Sequence, residues 1–481
     1  MASLKEQSMK ATGWNFVKIM VGQLQSFIVS LFLARLLVPE DFGTVGLALV
    51  FANFVEMFVD FGFSNAIVQK QNVTQTQLST IFWLNFMIGL LLSSIMFSFS
   101  KFIAVFFNIP ILTDIVKVYS ITFIIKALSA VPGAIFQKDL DLKKPVLISL
   151  VSSSITSIFG VFLAYWGYGI WSLVFSQISN WILSTILLWY FVNWKPSFIF
   201  KIAEIRELWS FGYKYSLAGV IDNFFWKLDT LVIGRVFSPS VLGLFYRAQS
   251  LNNLVIKFAF SSISNVVLSA FSKMQKDIDM LRVNMNKLMH LVAFTTFFFA
   301  GLVYLSAEQI IIILFTEKWI DAVPFFKIFS LFALYYTMPN IINSAINSIG
   351  KSDKVLKIQI VSKLLLLIFI PIGLYYGIHA YIYATLLAGS IGLIYAMYVL
   401  SICIGIEFKS QLLLVLKYLS VYFLLIFSLD YIQITNRYLH IVVLSFVYIF
   451  LYCIFNKIIK NEGVEYSYNI LHYIVMKIRK R

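Results

Sequence analysis

The chain is a succession of long apolar runs broken by short polar turns. A helix that crosses about 30 Å of hydrocarbon needs roughly 20 mostly apolar residues. Fourteen runs approach or exceed that length. They cover approximately 13–37, 43–68, 79–100, 111–136, 145–166, 170–192 and 208–236, then 242–271, 287–306, 321–348, 354–375, 379–404, 411–431 and 438–457. The seventh is interrupted by Asp222, Lys227 and Asp229. Stretches such as 364–376 are apolar at odd and even positions alike, which excludes the alternation of a transmembrane β-barrel. The first run follows Lys5 and Lys10, as a signal peptide would, but it is long enough to span and has no small-residue cleavage site. It reads as a retained first helix. The turns leave no room for a soluble catalytic domain.

Composition agrees. Hydrophobic residues make up 60% of the 481, charged residues 12%, and mean hydropathy is +0.87. A soluble domain carries about 25% charged residues, because water must meet its surface. The pattern therefore predicts an all-α polytopic membrane protein with 14 transmembrane helices. Cys403 and Cys453 both fall inside apolar runs and imply no disulfide framework. His290, His379, His440 and His472 are scattered, with no metal-ligand spacing, and no phosphate-binding glycine loop is present.

The 38 Lys and Arg against 22 Asp and Glu give +16, and their placement sets orientation. With a cytoplasmic N-terminus, one set of loops holds Lys138, Lys143 and Lys144; Lys195, Lys201 and Arg206; Lys273, Lys276 and Arg282; Lys351, Lys354 and Lys357. The tail adds Lys477, Arg479, Lys480 and Arg481. The opposite side has little beyond Lys101, Lys318 and Arg437. That is the positive-inside distribution, with both termini cytoplasmic. The excess charge is thus assigned to cytoplasmic loops, not to nucleic acid. Leu471, Ile474, Val475 and Ile478 sit at helical spacing beside the tail cations, which fits either an interfacial helix or a solvated tail.

The chain also repeats itself. At an offset of 200, Leu31, Arg35, Pro39, Gly43, Ala48, Asn53, Val55, Phe58, Ser64 and Asn65 meet Leu231, Arg235, Pro239, Gly243, Ala248, Asn253, Val255, Phe258, Ser264 and Asn265. A weaker echo pairs Tyr165-Trp166-Gly167 with Tyr375-Tyr376-Gly377. Six helices separate the copies, so both enter the membrane in the same direction. The expected organisation is two parallel six-helix lobes, 1–200 and 201–406, with 407–481 holding two further helices and the basic tail.

Particular residues resemble a known family. Ala34-Arg35-Leu36-Leu37-Val38-Pro39-Glu40-Asp41-Phe42-Gly43 looks like the opening motif of the polysaccharide-transport family. Val131-Pro132 followed by Phe136-Gln137-Lys138-Asp139-Leu140-Asp141-Leu142-Lys143-Lys144 resembles its fourth-loop motif, with Lys138 where Arg is usual, and the Trp166-Gly167-Tyr168-Gly169 turn fits too. The family includes Wzx-type flippases, in a superfamily with lipid II flippases and MATE drug exporters. The resemblance implies a MATE-like two-lobe fold. It implies alternating-access movement of an undecaprenyl-diphosphate-linked oligosaccharide (an O-antigen, capsule or exopolysaccharide repeat unit) across the bacterial inner membrane. It implies no catalysis and no cofactor, with proton or sodium coupling open. The expected partners are the lipid-linked oligosaccharide, membrane lipids and other polysaccharide-assembly proteins.

An unpaired hydroxyl or amide costs roughly 2–7 kcal/mol in an apolar medium, and a bare diphosphate far more. Such a lipid needs a wet path lined by cations, with aromatic faces for the sugars. Lys18, Lys126, Lys227, Arg235, Arg247 and Lys257 lie within the runs or near their ends, with Arg35 at the matching turn and Trp226 among the charges of the seventh run. Each fits substrate contact or a paired structural charge; Arg35 and Arg235, just before Pro39 and Pro239, fit turn anchors as well. Asn53, Glu56 and Asp60 share one helix face, and Asp222 and Asp229 share another. These acids suit ion coupling, gating or structural pairing. The competing functions are a MATE-like ion-coupled drug exporter and a membrane glycosyltransferase or polymerase.

Overall fold

The computed structural model describes the backbone of residues 4–432, 434–468 and 476; the side chains of 1–12, 15–16, 56, 211, 214–226 and 257–269 are outside the description. Every regular element among the described residues is helical. The chain divides into two compact units, residues 1–243 and 244–481.

The first unit contains α1 (Leu4–Leu36), α2 (Pro39–Asp60), α3 (Phe63–Gln69), α4 (Gln75–Phe107), α5 (Leu112–Lys138), α6 (Lys143–Tyr165), α7 (Ile170–Phe191) and α8 (Arg206–Val236). The boundary at 243 falls inside α9 (Pro239–Lys273). The second unit continues with α10 (Ile278–Phe315), α11 (Val323–Phe329), α12 (Phe332–Ser348), α13 (Ser352–Tyr375), α14 (Ile378–Ile404), α15 (Phe408–Leu429) and α16 (Arg437–Ile458).

Twelve of the fourteen expected runs coincide, among the described residues, with helices long and apolar enough to cross a membrane. The seventh and eighth runs fall on α8 and α9, of 31 and 35 residues. The protein is a multi-pass membrane protein. Apolar side chains fill the buried core and also cover much of the exposed surface, while the polar residues within the helices are often buried. On α4 the buried face carries Thr80, Asn85, Ser93 and Ser100, while Leu91, Phe102 and Val105 are exposed. Small residues let helices approach closely. A Cβ on Gly89 of α4 would lie 2.9 Å from the Phe123 carbonyl oxygen of α5, and one on Gly373 of α13 would lie 2.6 Å from the Tyr381 Cα of α14.

Several element boundaries differ from the hydropathy reading; the run 321–348, for one, is divided into α11 and α12 at Ser330–Leu331. The run 43–68 is not one helix: α2 stops at Asp60, Phe61 and Gly62 take φ of 43° and 76°, and α3 follows. Apolar content continues through the break, so hydropathy does not register it; the signal is Gly62, which adopts the left-handed region without a Cβ penalty. The run 287–306 belongs to a longer helix. Asp277 accepts from the Met280 N–H at 2.9 Å and caps α10 well before its apolar part begins.

The segment after α7 is strapped to the start of α4. Trp194 Nε1 donates to Gln75 Oε1 (2.6 Å), Trp83 Nε1 to the Ser197 carbonyl (2.9 Å), and the Ser197 and Lys201 amides to the hydroxyls of Ser79 (2.9 Å) and Thr80 (3.1 Å). This strap delivers the chain to α8, which lies along α2 and α3. Trp209 packs on Phe61 and Phe63, and Lys70 pairs with Glu207 at 2.6 Å.

In the second unit α15 and α16 pack against α10 and share its core. Tyr448 and Tyr452 are fully buried and donate to the Phe297 and Phe294 carbonyls at 2.8 and 2.9 Å.

Candidate functional site

The candidate site residues fall into three groups, each described within its own unit. In the first unit the Lys126 ammonium of α5 stands over the Trp181 ring of α7, 5.4 Å from its centroid, and is half-buried. Tyr119 meets the same indole edge-on at 5.9 Å. A cation over an indole face is held electrostatically by the ring quadrupole. Lys18 is exposed on α1. Lys227 and Asp229 are half-buried on α8. Arg35 is exposed at the end of α1, and Arg235, at the matching place on α8, stands 5.1 Å over the Phe106 ring. The side chains of Lys257, Trp226, Glu56 and Asp222 lie outside the described residues.

The second group surrounds Asp60. Its carboxylate accepts from the Ser64 amide at 3.2 and 3.0 Å and from Asn85 Nδ2 at 3.1 Å. The Ser64 bond places the carboxylate at the start of α3, across the Phe61–Gly62 break. Asp60 thereby does the work of a helix cap. Asn53, two turns earlier on α2, is half-buried. Asn85 is fully buried on α4 and was not among the sequence candidates; an Asn inside an apolar run was the available signal.

The third group lies in the second unit. Arg247 is 6% exposed, with its guanidinium 4.8 Å from the Phe315 centroid and 5.0 Å from that of Trp319. Both rings are fully buried. Planar stacking of this kind favours Arg over Lys. Arg247 is thus buried against the two rings.

Among the described residues no group of three or more His, Cys, Asp or Glu side chains is placed to hold a metal ion.

The sequence profile of the family described as polysaccharide biosynthesis protein matches residues 32–324, more than half of the chain. The chain belongs to that family. Members of similar sequence include an uncharacterized membrane protein in the cps region of Klebsiella pneumoniae, 26% identical over 387 residues (77% of this chain, 76% of the relative). The teichuronic acid biosynthesis protein TuaB of Bacillus subtilis is 26% identical over 358 residues (73% and 74%). The lipopolysaccharide biosynthesis protein WzxC of Escherichia coli is 25% identical over 378 residues (77% and 76%). Among solved structures, the lipid II flippase MurJ in an inward closed conformation superposes with a TM-score of 0.73 at 20% identity, covering 94% of this chain and 98% of that one. An inward-facing MATE multidrug transporter superposes at 0.59 with 13% identity, covering 82% and 98%. The family thus has the MurJ and MATE fold in this chain.

Proposed function

We propose that the protein is a flippase that moves an undecaprenyl-diphosphate-linked oligosaccharide across the bacterial inner membrane by alternating access. The observation that supports it most is the union of two facts: membership of a polysaccharide biosynthesis family, and twelve helices, among the described residues, long and apolar enough to cross a membrane. Polysaccharide units are too polar to cross hydrocarbon unaided. A family member built largely of apolar helices is suited to transport. Relatives named for teichuronic acid, lipopolysaccharide and succinoglycan, and a fold neighbour named as a lipid II flippase, support the same reading.

In this proposal α8 and α9 complete fourteen crossings, the repeat organises two parallel lobes at 1–200 and 201–406, and both termini are cytoplasmic. Lys18, Lys126, Lys227, Arg247 and Lys257, with Trp226, are the residues proposed to meet the diphosphate and sugars, and Arg35 and Arg235 are proposed to join them from the outer turns. Glu56, Asp222 and Asp229 are proposed for ion coupling or gating, with Asn53 and Asp60 on the same face as Glu56. Moving one charge outward across 100 mV is worth about 2.3 kcal/mol. The negative interior alone therefore drives a diphosphate outward, and proton or sodium antiport adds to it.

Expression in a strain lacking its own flippase tests the reading. Restored surface polysaccharide is the expected result; drug resistance without polysaccharide would favour the exporter.

A further inference from the structure

The repeat-related glycines meet. Gly43 near the start of α2 and Gly243 near the start of α9 are both buried, and both belong to the first unit. A Cβ on Gly43 would overlap the Pro239 carbonyl oxygen and come within 2.8 Å of the Gly243 nitrogen. A Cβ on Gly243 would overlap the Pro39 carbonyl oxygen and come 3.2 Å from the Gly43 nitrogen. Each glycine Cα–H therefore faces the carbonyl of the other copy's proline, four residues upstream. The contact is self-complementary, like an isologous interface between two copies of one motif.

The two turns are built to present this contact. Each helix begins with proline at its first position, where a missing N–H costs nothing. Asp41 Oδ2 accepts from the Val38 amide at 3.2 Å in the first copy; in the second, Ser238 Oγ accepts from the Val241 amide at 3.4 Å. An apolar layer lies next to the crossing. Leu47, Ala48, Ile233 and Leu242 are fully buried, and Leu47 and Leu242 close on Gly234, their methyls 3.0 and 3.3 Å from where its Cβ would be. No hydrated sugar can pass through such a layer.

We infer that the Gly43–Gly243 crossing, with Leu47 and Leu242 beside it, is the outer seal of the transport path and that it parts for each release to the outside. The inference rests on the alternating-access reading above. Side-chain-free backbone contact suits a seal that must form and part repeatedly, because no long side chain has to be ordered at each closure.

The experiment uses the full chain with Cys403 and Cys453 replaced by Ala. Thr44, adjacent to Gly43, is 1% exposed. With Thr44→Cys, a membrane-impermeant maleimide added outside labels slowly when the seal is intact. Adding Gly43→Leu or Gly243→Leu is expected to raise that rate at least about tenfold, a shift in population toward the parted state. Equal rates in all three proteins would overturn the inference. A second arm avoids any folding ambiguity. Glu40→Cys with Ser240→Cys is oxidised to a disulfide, then reduced. Loss of transport on oxidation and recovery on reduction are expected. Undiminished transport by the cross-linked protein, or failure of both oxidant and a short bismaleimide to link the pair, would overturn it. Labelling that behaves as expected in a protein that moves no polysaccharide would keep the seal and remove the proposed substrate.

Discussion

Arg247 and Lys126 show how alike two cations can look in a sequence and how differently a fold can use them. Both interrupt apolar runs. Arg247 is buried over the Phe315 and Trp319 rings, whereas Lys126 stands over Trp181 and stays half-buried. The charge at membrane depth was readable; its partners, far along the chain, were not. Two outcomes follow. Trp319→Ala removes a fully buried indole, and should cost about 3–5 kcal/mol, seen as a marked fall in the thermal midpoint of the purified protein. Trp319→Phe should recover much of it. Lys126→Ala, by contrast, should leave the midpoint nearly unchanged and lower transport at least roughly tenfold, the loss of one charge-assisted contact to the diphosphate. If transport is untouched, Lys126 is outside the substrate path.

The elements were legible wherever apolar length alone defines them. Twelve expected runs have their helices. Legibility failed where polar capping or backbone geometry sets the boundary, as at Asp277 before α10 and at Phe61–Gly62 between α2 and α3. The repeat sharpens the second case. The offset that pairs Pro39 with Pro239 puts Phe61-Gly62 opposite Ser261-Ser262, and α9 runs unbroken through the second pair. The copies share their first half and diverge where glycine is lost. Asp60 closes the break in the first copy by accepting from Ser64. A cap and an ion-coupling carboxylate make different demands. Asp60→Asn keeps an oxygen acceptor for the Ser64 amide, so as a cap it should retain transport and its dependence on ion gradients, with at most about 1 kcal/mol lost in stability. Transport that ceases to respond to a proton or sodium gradient would instead make Asp60 the coupling group.

At the scale of the whole molecule, composition and charge placement carried most of the meaning. A chain so poor in charge could only be a membrane protein, and the family follows from motifs at two turns, since confirmed by a match over residues 32–324. The repeat was visible because its Arg-x-x-x-Pro-x-x-x-Gly turn keeps register. That the two copies of this turn meet at Gly43 and Gly243 is visible only in the structure. The substrate path was less legible, since it depends on which polar side chains face water. The decisive measurement is direct. The purified protein is reconstituted in liposomes containing undecaprenyl-diphosphate oligosaccharide labelled on its sugar, and a membrane-impermeant quencher is added outside. Access to nearly all of the label, faster when a membrane potential pulls the diphosphate toward the quencher, is the predicted result. A label that stays accessible only in its outer-leaflet share, as in protein-free liposomes, would contradict the account.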